Sequence, residues 1–498
     1  MRGLEREANA VAIRAPMYHF GSMTPSLSGM MWPAGSKGGP AIERLEGYIE
    51  MSNQTQQRPH RDWSSRGLAL AGALAFLTAG LGACSESGGN NAGGSGGLPG
   101  GGQACTKSSV VACIGDDTTL GKISHTPIVA KGEPILIGMI NQEAGAAGAF
   151  PELSGADRAV VAFINNELGG VNGRPIQLEV CDTKFSPTGS IACAQQMVEK
   201  KVAAVTGGID VFGDGIKILN DNGIPFVGGI PVSTASASVP TSFQFSGGIW
   251  GAFLAFADYS AKNLKAKTVS ILYTDFGPIT DGANTAKDAL ENLGVKVQMI
   301  PFPVITTDYL TPITEAVQSN PDAIIVGTAD TGCVPSFRAT EELKTKAALF
   351  FTGACAAPKI LESAGESATE GAYFNIEQIL PKPGTVDPDT SLYNFVLAKY
   401  QPRLDPAGAG TVAFRSSMNL YMQMKSLGAK ATNRAAIIDA FRKSVDHPSF
   451  NGHSYTCDGK DFPGLPALCT SEEVIVQNVK GTLVPRTGWI DVGALVVR

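Results

Sequence analysis

Basic charge, histidine and long apolar runs are all scarce in this 498-residue chain. Lys and Arg number 39 against 45 Asp and Glu, a formal net charge of −6, so the basic footprint of a nucleic-acid binder is missing. No run reaches the roughly 20 apolar residues that a membrane-spanning helix needs, which excludes a bundle of such helices. Gly and Pro, at 59 and 30, fall short of collagen-like or low-complexity proportions. There is no C-x-x-C, no H-E-x-x-H, no G-x-x-x-x-G-K-[ST] and no G-x-G-x-x-G after a strand-like run. No catalytic residue, cofactor or metal is expected. His447, His453 and Cys457 come nearest to a metal set, but Cys457 has a cysteine partner nearby in sequence.

What is present begins with a targeting signal. Arg58, Arg61 and Arg66 precede a short apolar stretch, Gly67 to Gly80, that is right for a signal peptide and too short to span a bilayer. It ends in Leu81-Gly82-Ala83-Cys84, similar to the bacterial motif that directs lipid onto the cysteine sulfur and cleavage just before it. Met51 is then the expected start, with residues 1–50 a spurious extension. The acyl chains would anchor the mature protein to a membrane through lipid alone. The Gly/Ser-rich stretch from Ser85 to Gln103 reads as a flexible tether.

Besides Cys84 there are eight cysteines: Cys105, Cys113, Cys181, Cys193, Cys333, Cys355, Cys457 and Cys469. Spacing alone does not dictate their pairing. They fall as four local couples, and neighbours close the smallest loops, so 105–113, 181–193, 333–355 and 457–469 are expected. An exported, oxidised protein on the extracytoplasmic face of a bacterial membrane accounts for them best.

From Pro134 onward, short apolar runs alternate with helical stretches. One series comprises 134–140, 175–180, 202–208 and 224–229; a second comprises 268–273, 296–302, 323–328 and 349–353. Runs of this kind suit strands buried on both faces of a parallel sheet. Helices are expected over 156–168, 190–200, 281–293, 334–346, 391–400, 411–427 and 432–444, and a β-rich tail over 474–479 and 488–492. Two series of about four strands predict an α/β fold with two sheets, broken near Ser246-Gly247-Gly248.

The stretches Pro134 to Gly138, Asn165 to Gly173 (NNELGGVNG), Arg174 to Asp182, Ala192 to Val198 and Val202 to Gly208 together resemble the Leu/Ile/Val-binding type of ABC-importer solute receptor. The resemblance implies a two-lobed type I periplasmic binding protein, each lobe a mostly parallel sheet flanked by helices, joined by three crossings around a ligand cleft. Lobe one would comprise 134–247 and 373–445, and lobe two 248–372 with the tail 446–498; residues 84–133 would be the anchor, tether and a disulfide clip. A monomer is implied, with a small-molecule ligand and an ABC permease as partners. A ligand-sensing receptor working with a separate signalling partner is the alternative.

Ligands of such sheets bind beyond the carboxyl ends of the strands. The loops 143–150, 209–212, 230–234, 275–278, 328–330 and 354–356 are the candidates, supplying Phe150, Ile230 and Ala329, with Trp250 expected at the cleft floor. In the resembled family, hydroxyls hold the ligand carboxylate in the loop after the third strand; here Asp210, Val211 and Phe212 stand there. A further threonine is displaced, with Val232 near its place and Ser233 beside it. Phe276 replaces a tyrosine, and Cys355 aligns near the acidic residue expected to hold an ammonium. The handles for an α-amino acid are missing or moved, so an apolar, aromatic or amide ligand is expected ahead of an amino-acid-like one.

Overall fold

The computed structural model describes residues 105, 107–145, 148–380 and 385–496. The signal segment, Cys84 and the tether lie outside them.

The first sheet contains β1 (Ile135–Asn141), β2 (Ile176–Asp182), β3 (Val205–Thr206), β4 (Phe226–Val227) and β5 (Ser242–Phe243), all parallel, in the order β2-β1-β3-β4-β5. β1 is buried along nearly its whole length, which explains why its sequence, ILIGMIN, is apolar on both faces. Helices α1 (Pro151–Asn166), α2 (Pro187–Glu199), α3 (Asp214–Asp221) and α4 (Thr234–Ser238) connect these strands. α1 starts with proline at its first position and turns Leu153, Ala156, Ala159, Val160 and Phe163 inward. Ser186 caps α2, its hydroxyl accepting from the Gly189 N–H at 3.0 Å.

The second lobe opens with α5 (Gly248–Lys262), buried almost all round by Trp250, Phe253, Leu254, Phe256 and Ala257. A helix apolar on every face belongs inside. β6 (Thr268–Thr274), α6 (Gly277–Asn292), β7 (Lys296–Phe302), α7 (Leu310–Gln318), β8 (Ala323–Gly327), α8 (Asp330–Glu342), β9 (Ala348–Phe351), α9 (Pro358–Ala364), α10 (Glu366–Thr369) and β10 (Tyr373–Ile376) follow. The chain then returns to the first lobe as α11 (Pro388–Tyr400), α12 (Gly410–Ser426) and α13 (Arg434–Arg442). It ends in the second sheet with β11 (Glu472–Val479), β12 (Thr482–Pro485) and β13 (Ile490–Asp491). That sheet runs β12-β11-β10-β9-β8-β6-β7, with β13 paired to β11; β11 is antiparallel to both of its long neighbours.

Two expectations need correction. Residues 373–376 belong to the second sheet, because β10 pairs in parallel with β9; the return to lobe one therefore follows Ile376 instead of preceding Tyr373. Trp250 is 3% exposed and sits in the apolar core of lobe two, so it forms no cleft floor. The two-residue strand β5 and helix α5 were not among the expected elements, since neither alternates in the way the longer runs do. All four expected disulfides are present. The segment closed by Cys105–Cys113 is bonded to lobe one: Val111 N–H donates to Glu167 Oε2 at 3.0 Å, and Lys399 Nζ pairs with Glu167 Oε1 at 2.6 Å. Among the described residues, no helix is long and apolar enough to cross a membrane.

The lobes are linked by three stretches of chain, after β5, after β10 and before β11, and one side chain reaches all three. Arg415, on α12 and only 3% exposed, donates Nη1 to Phe245 O at 3.0 Å on the first crossing. Its Nη2 donates to Glu377 O on the second crossing and to Asn451 O, 3.0 Å away, on the third. Nε donates to Phe450 O at 3.2 Å. Only a guanidinium offers donors in a fan wide enough for four carbonyls; a lysine ammonium is a compact point charge. Replacing Arg415 by Ala leaves these carbonyls and two nearby glutamates uncompensated. A loss of about 3–5 kcal/mol is expected in urea unfolding, with no rescue by Arg415→Lys.

Candidate functional site

Each sheet has a place where neighbouring strands send their connections to opposite sides, and crevices form there. In the first sheet that place lies between β1 and β3, and in the second between β6 and β8. The loops leaving these strands begin at Gln142, Gly207, Asp275 and Thr328.

Asn141, fully buried at the end of β1, organises the first of these places. Its Nδ2 donates to Phe150 O at 2.9 Å and to Glu143 Oε1 at 2.7 Å, while its Oδ1 accepts from Ile209 N–H at 3.1 Å. One amide thereby ties the loop after β1 to the loop after β3. Gly207, just after β3, lets that strand end close onto the end of β4, since a Cβ there would collide with the Gly229 backbone. Gln142 Nε2 donates to Gly148 O at 2.7 Å. Gly148 in turn abuts Asp330 at the start of α8, where any side chain would strike the Asp330 carboxylate. Here backbone of lobe one meets lobe two.

The second meeting is aromatic. Phe212, after β3, and Phe276, after β6, stand edge to face with ring centres 5.5 Å apart. Phe185, after β2, completes the triangle at 5.3 Å from Phe212 and 6.3 Å from Phe276. Two rings thus come from lobe one and one from lobe two. Phe185 and its neighbour Lys184 both hold positive φ, 51° and 53°, a conformation costing on the order of 1 kcal/mol or more per residue outside glycine. Phe185 was not among the expected site residues, because the loop after β2 was not counted with the other strand-end loops. The signal was its position, three residues past the end of a parallel strand.

Other expected residues do different work. Asp210 is 2% exposed: its Oδ2 accepts from Ser190 Oγ at 2.6 Å and its Oδ1 from Phe212 N–H at 3.3 Å. Burial raises its pKa, and the Ser190 hydrogen bond opposes that rise. The carboxylate is committed to shaping its own loop, and so to placing Phe212. Ser233 caps α4 reciprocally with Ser236, its hydroxyl accepting from Ser236 N–H at 3.2 Å. Phe150, Val211, Ile230 and Val232 are half-buried and pack against the core of lobe one. Ala329 precedes α8, beside Asp330. Cys355 is fully buried in its bridge to Cys333, which pins the loop after β9 to α8 and leaves no free thiol there.

Charge also crosses the cleft. Burial raises the carboxyl pKa of both Glu152, on α1, and Asp330; the Asp330 charge raises Glu152 further, and Lys359 on α9 opposes both shifts.

Residues 134–461 match the periplasmic binding protein family. The chain belongs to that family. Its proteins bind small solutes, work with ABC permeases outside the cytoplasm and are generally not enzymes. No curated protein sequence matches the chain. Among solved structures, it is similar to a leucine-binding protein of Thermotoga maritima (18% identity, 72% of this chain and 99% of that one, TM-score 0.59). The branched-chain amino acid transporter substrate-binding protein of Streptococcus pneumoniae, in complex with isoleucine, gives 18%, 72%, 100% and 0.59. A fatty acid ABC transporter substrate-binding protein from Thermomonospora curvata gives 14%, 74%, 94% and 0.61. At these identities the likeness concerns fold, and that fold is the type I, two-lobed one.

Across a family cleft of this kind, contacts made only when the lobes meet set the balance of open and closed forms. Phe276→Ala removes two of the three ring contacts, each worth about 0.5–1.5 kcal/mol beyond area. The open form should gain on the order of tenfold, read as a larger radius of gyration in small-angle X-ray scattering. An unchanged scattering curve would show that the rings do not hold the lobes together.

Proposed function

We propose that this protein is the lipid-anchored receptor of an ABC importer, capturing an apolar, aromatic or amide solute between its lobes. The observation that carries this reading is the triangle of Phe185, Phe212 and Phe276 at the strand ends of both lobes. Aromatic faces favour flat or apolar groups and offer nothing to a carboxylate. The positions aligned with amino-acid handles agree with it. Cys355 is locked in a disulfide, Ser233 is bound to its own helix, and Asp210 bonds Ser190 and backbone. A zwitterion would lose water at both charged ends without equal replacement. The relative described as a fatty acid ABC transporter substrate-binding protein supports apolar cargo as compatible with this fold. Anchoring through Cys84 follows from the signal motif, and the four disulfides fit an oxidising compartment.

Two experiments test the proposal. In a thermal-shift screen, aromatic amides and medium-chain fatty acids should raise the melting temperature while leucine, isoleucine and valine do not. A ligand at a hundred times its Kd adds about 2.7 kcal/mol. Micromolar binding of a branched-chain amino acid in calorimetry, undiminished in Phe212→Ala, would overturn the ligand class. Separately, Cys84→Ala should move the protein from the membrane to the soluble fraction on cell lysis; retention on the membrane would refute the anchor.

A further inference from the structure

Where the three crossings converge on Arg415, two glutamates lie together, Glu473 fully buried and the Glu377 side chain 15% exposed. Glu377 ends the strand side of the second crossing, and Glu473 lies on β11 just after the third. Ser246 Oγ, on the first crossing, donates to Glu377 Oε1 at 2.6 Å, and itself accepts from Gly248 N–H at 3.0 Å at the start of α5. Asn375 Nδ2, on β10, donates to Glu473 Oε2 at 3.1 Å. Gly247 and Gly251 pack so closely on Glu473 Oε1 that a Cβ at either would press on it. Glu473 is fully buried and its Oε1 has no donor.

The charges do not balance. Arg415 brings one positive charge, and four of its five N–H groups are spent on backbone carbonyls; its guanidinium comes no nearer the Glu377 carboxylate than 4.0 Å, from Nη1 to Oε2. Two ionised glutamates would leave a net negative charge out of water, with one carboxylate oxygen bare, an arrangement that costs several kcal/mol. A single proton between the carboxyls removes both faults. It neutralises the cluster and turns the bare oxygen into one end of a carboxyl–carboxylate hydrogen bond.

We infer that Glu377 and Glu473 share one proton in the closed protein, and that releasing it loosens the three crossings and favours the open form. Burial raises both carboxyl pKa values. At Glu473 the charge of Glu377 and a hydrogen bond to it add to the rise, and Asn375 and Arg415 oppose it; at Glu377, Arg415, Ser246 and the hydrogen bond with Glu473 oppose the rise. Burial lowers the Arg415 pKa, and the two glutamates oppose that. The next carboxylate on this side, Asp389 of α11, is engaged by Thr119, with its Oδ2 accepting from Asn451 N–H at 3.5 Å. The sign follows. A proton kept by the folded pair but released by an unfolded glutamate stabilises the fold below the ordinary glutamate range. That stability is lost as pH rises toward the pair's own value, by up to about tenfold in the folding constant per pH unit.

The inference goes beyond ligand capture and its test uses no ligand. Infrared spectroscopy of the full chain during a pH titration should show one protonated-carboxyl band persisting above the ordinary carboxylate range. Glu473→Gln, which keeps an acceptor for Asn375 and gives the site a fixed donor, should remove that band. In small-angle scattering the wild type should expand as the band disappears, and Glu473→Gln should stay compact at every pH. A wild-type spectrum whose carboxyl signal vanishes wholly within the ordinary range would overturn the inference, even if the variant fails to fold. So would equal pH-dependent expansion of the two proteins. Absence of any binder in a ligand screen would bear only on the proposed function.

Discussion

The architecture depends on holding three separate pieces of backbone side by side in a place from which water is excluded. Carbonyls at such a junction lose their hydration, and no helix or strand supplies their hydrogen bonds. Arg415 supplies them for Phe245, Glu377, Phe450 and Asn451 from a single planar group. Its own charge then needs an answer, which the neighbouring glutamates give. A hinge built this way joins lobes of unequal make-up: lobe one is assembled from two distant stretches of sequence, and its core includes α11, α12 and α13.

The cleft follows from strand order. In both sheets the first strand of the lobe lies inside, between the second and third, so adjacent loops diverge and leave a crevice. The two crevices face one another through Gly148 against Asp330 and through the phenylalanine rings. Buried amides and carboxylates, Asn141 and Asp210 above all, shape the loops that bring these groups there.

Much of this was legible in the sequence. Long strands buried on both faces announce themselves as apolar runs, and β1, β6, β8 and β11 fell where such runs stand; the edge strands β2 and β7, less buried, also fell at expected runs. Cysteine couples were readable because short loops close easily. The short strands β3 and β4 also fell inside expected runs, at 202–208 and 224–229, whereas β5 rests on two residues, too few for a period, and its neighbour in the sheet determines it. Within the site, Phe212 and Phe276 were legible from their strand-end positions, whereas Phe185 depends on a left-handed turn that no pattern signals. Trp250 misled because it stands just past the expected break at Ser246-Gly247-Gly248, while the helix that carries it is apolar all round. Arg415 carried no signal at all: the nearest charged residues in sequence, Asp405 and Lys425, each stand ten positions away, and its partners lie far away in the chain.

The clip closed by Cys105 and Cys113 bears on how the molecule transmits force. Through Val111, Lys399 and Glu167 it is fastened to lobe one, and Thr119 adds a bond to Asp389 of the same lobe. Whatever part of the chain precedes Cys105 therefore pulls on lobe one. In mechanical terms lobe one is the stator and lobe two the rotor. Lobe two is joined to it by three stretches of chain, and the path from Cys105 into lobe one does not pass through the cleft.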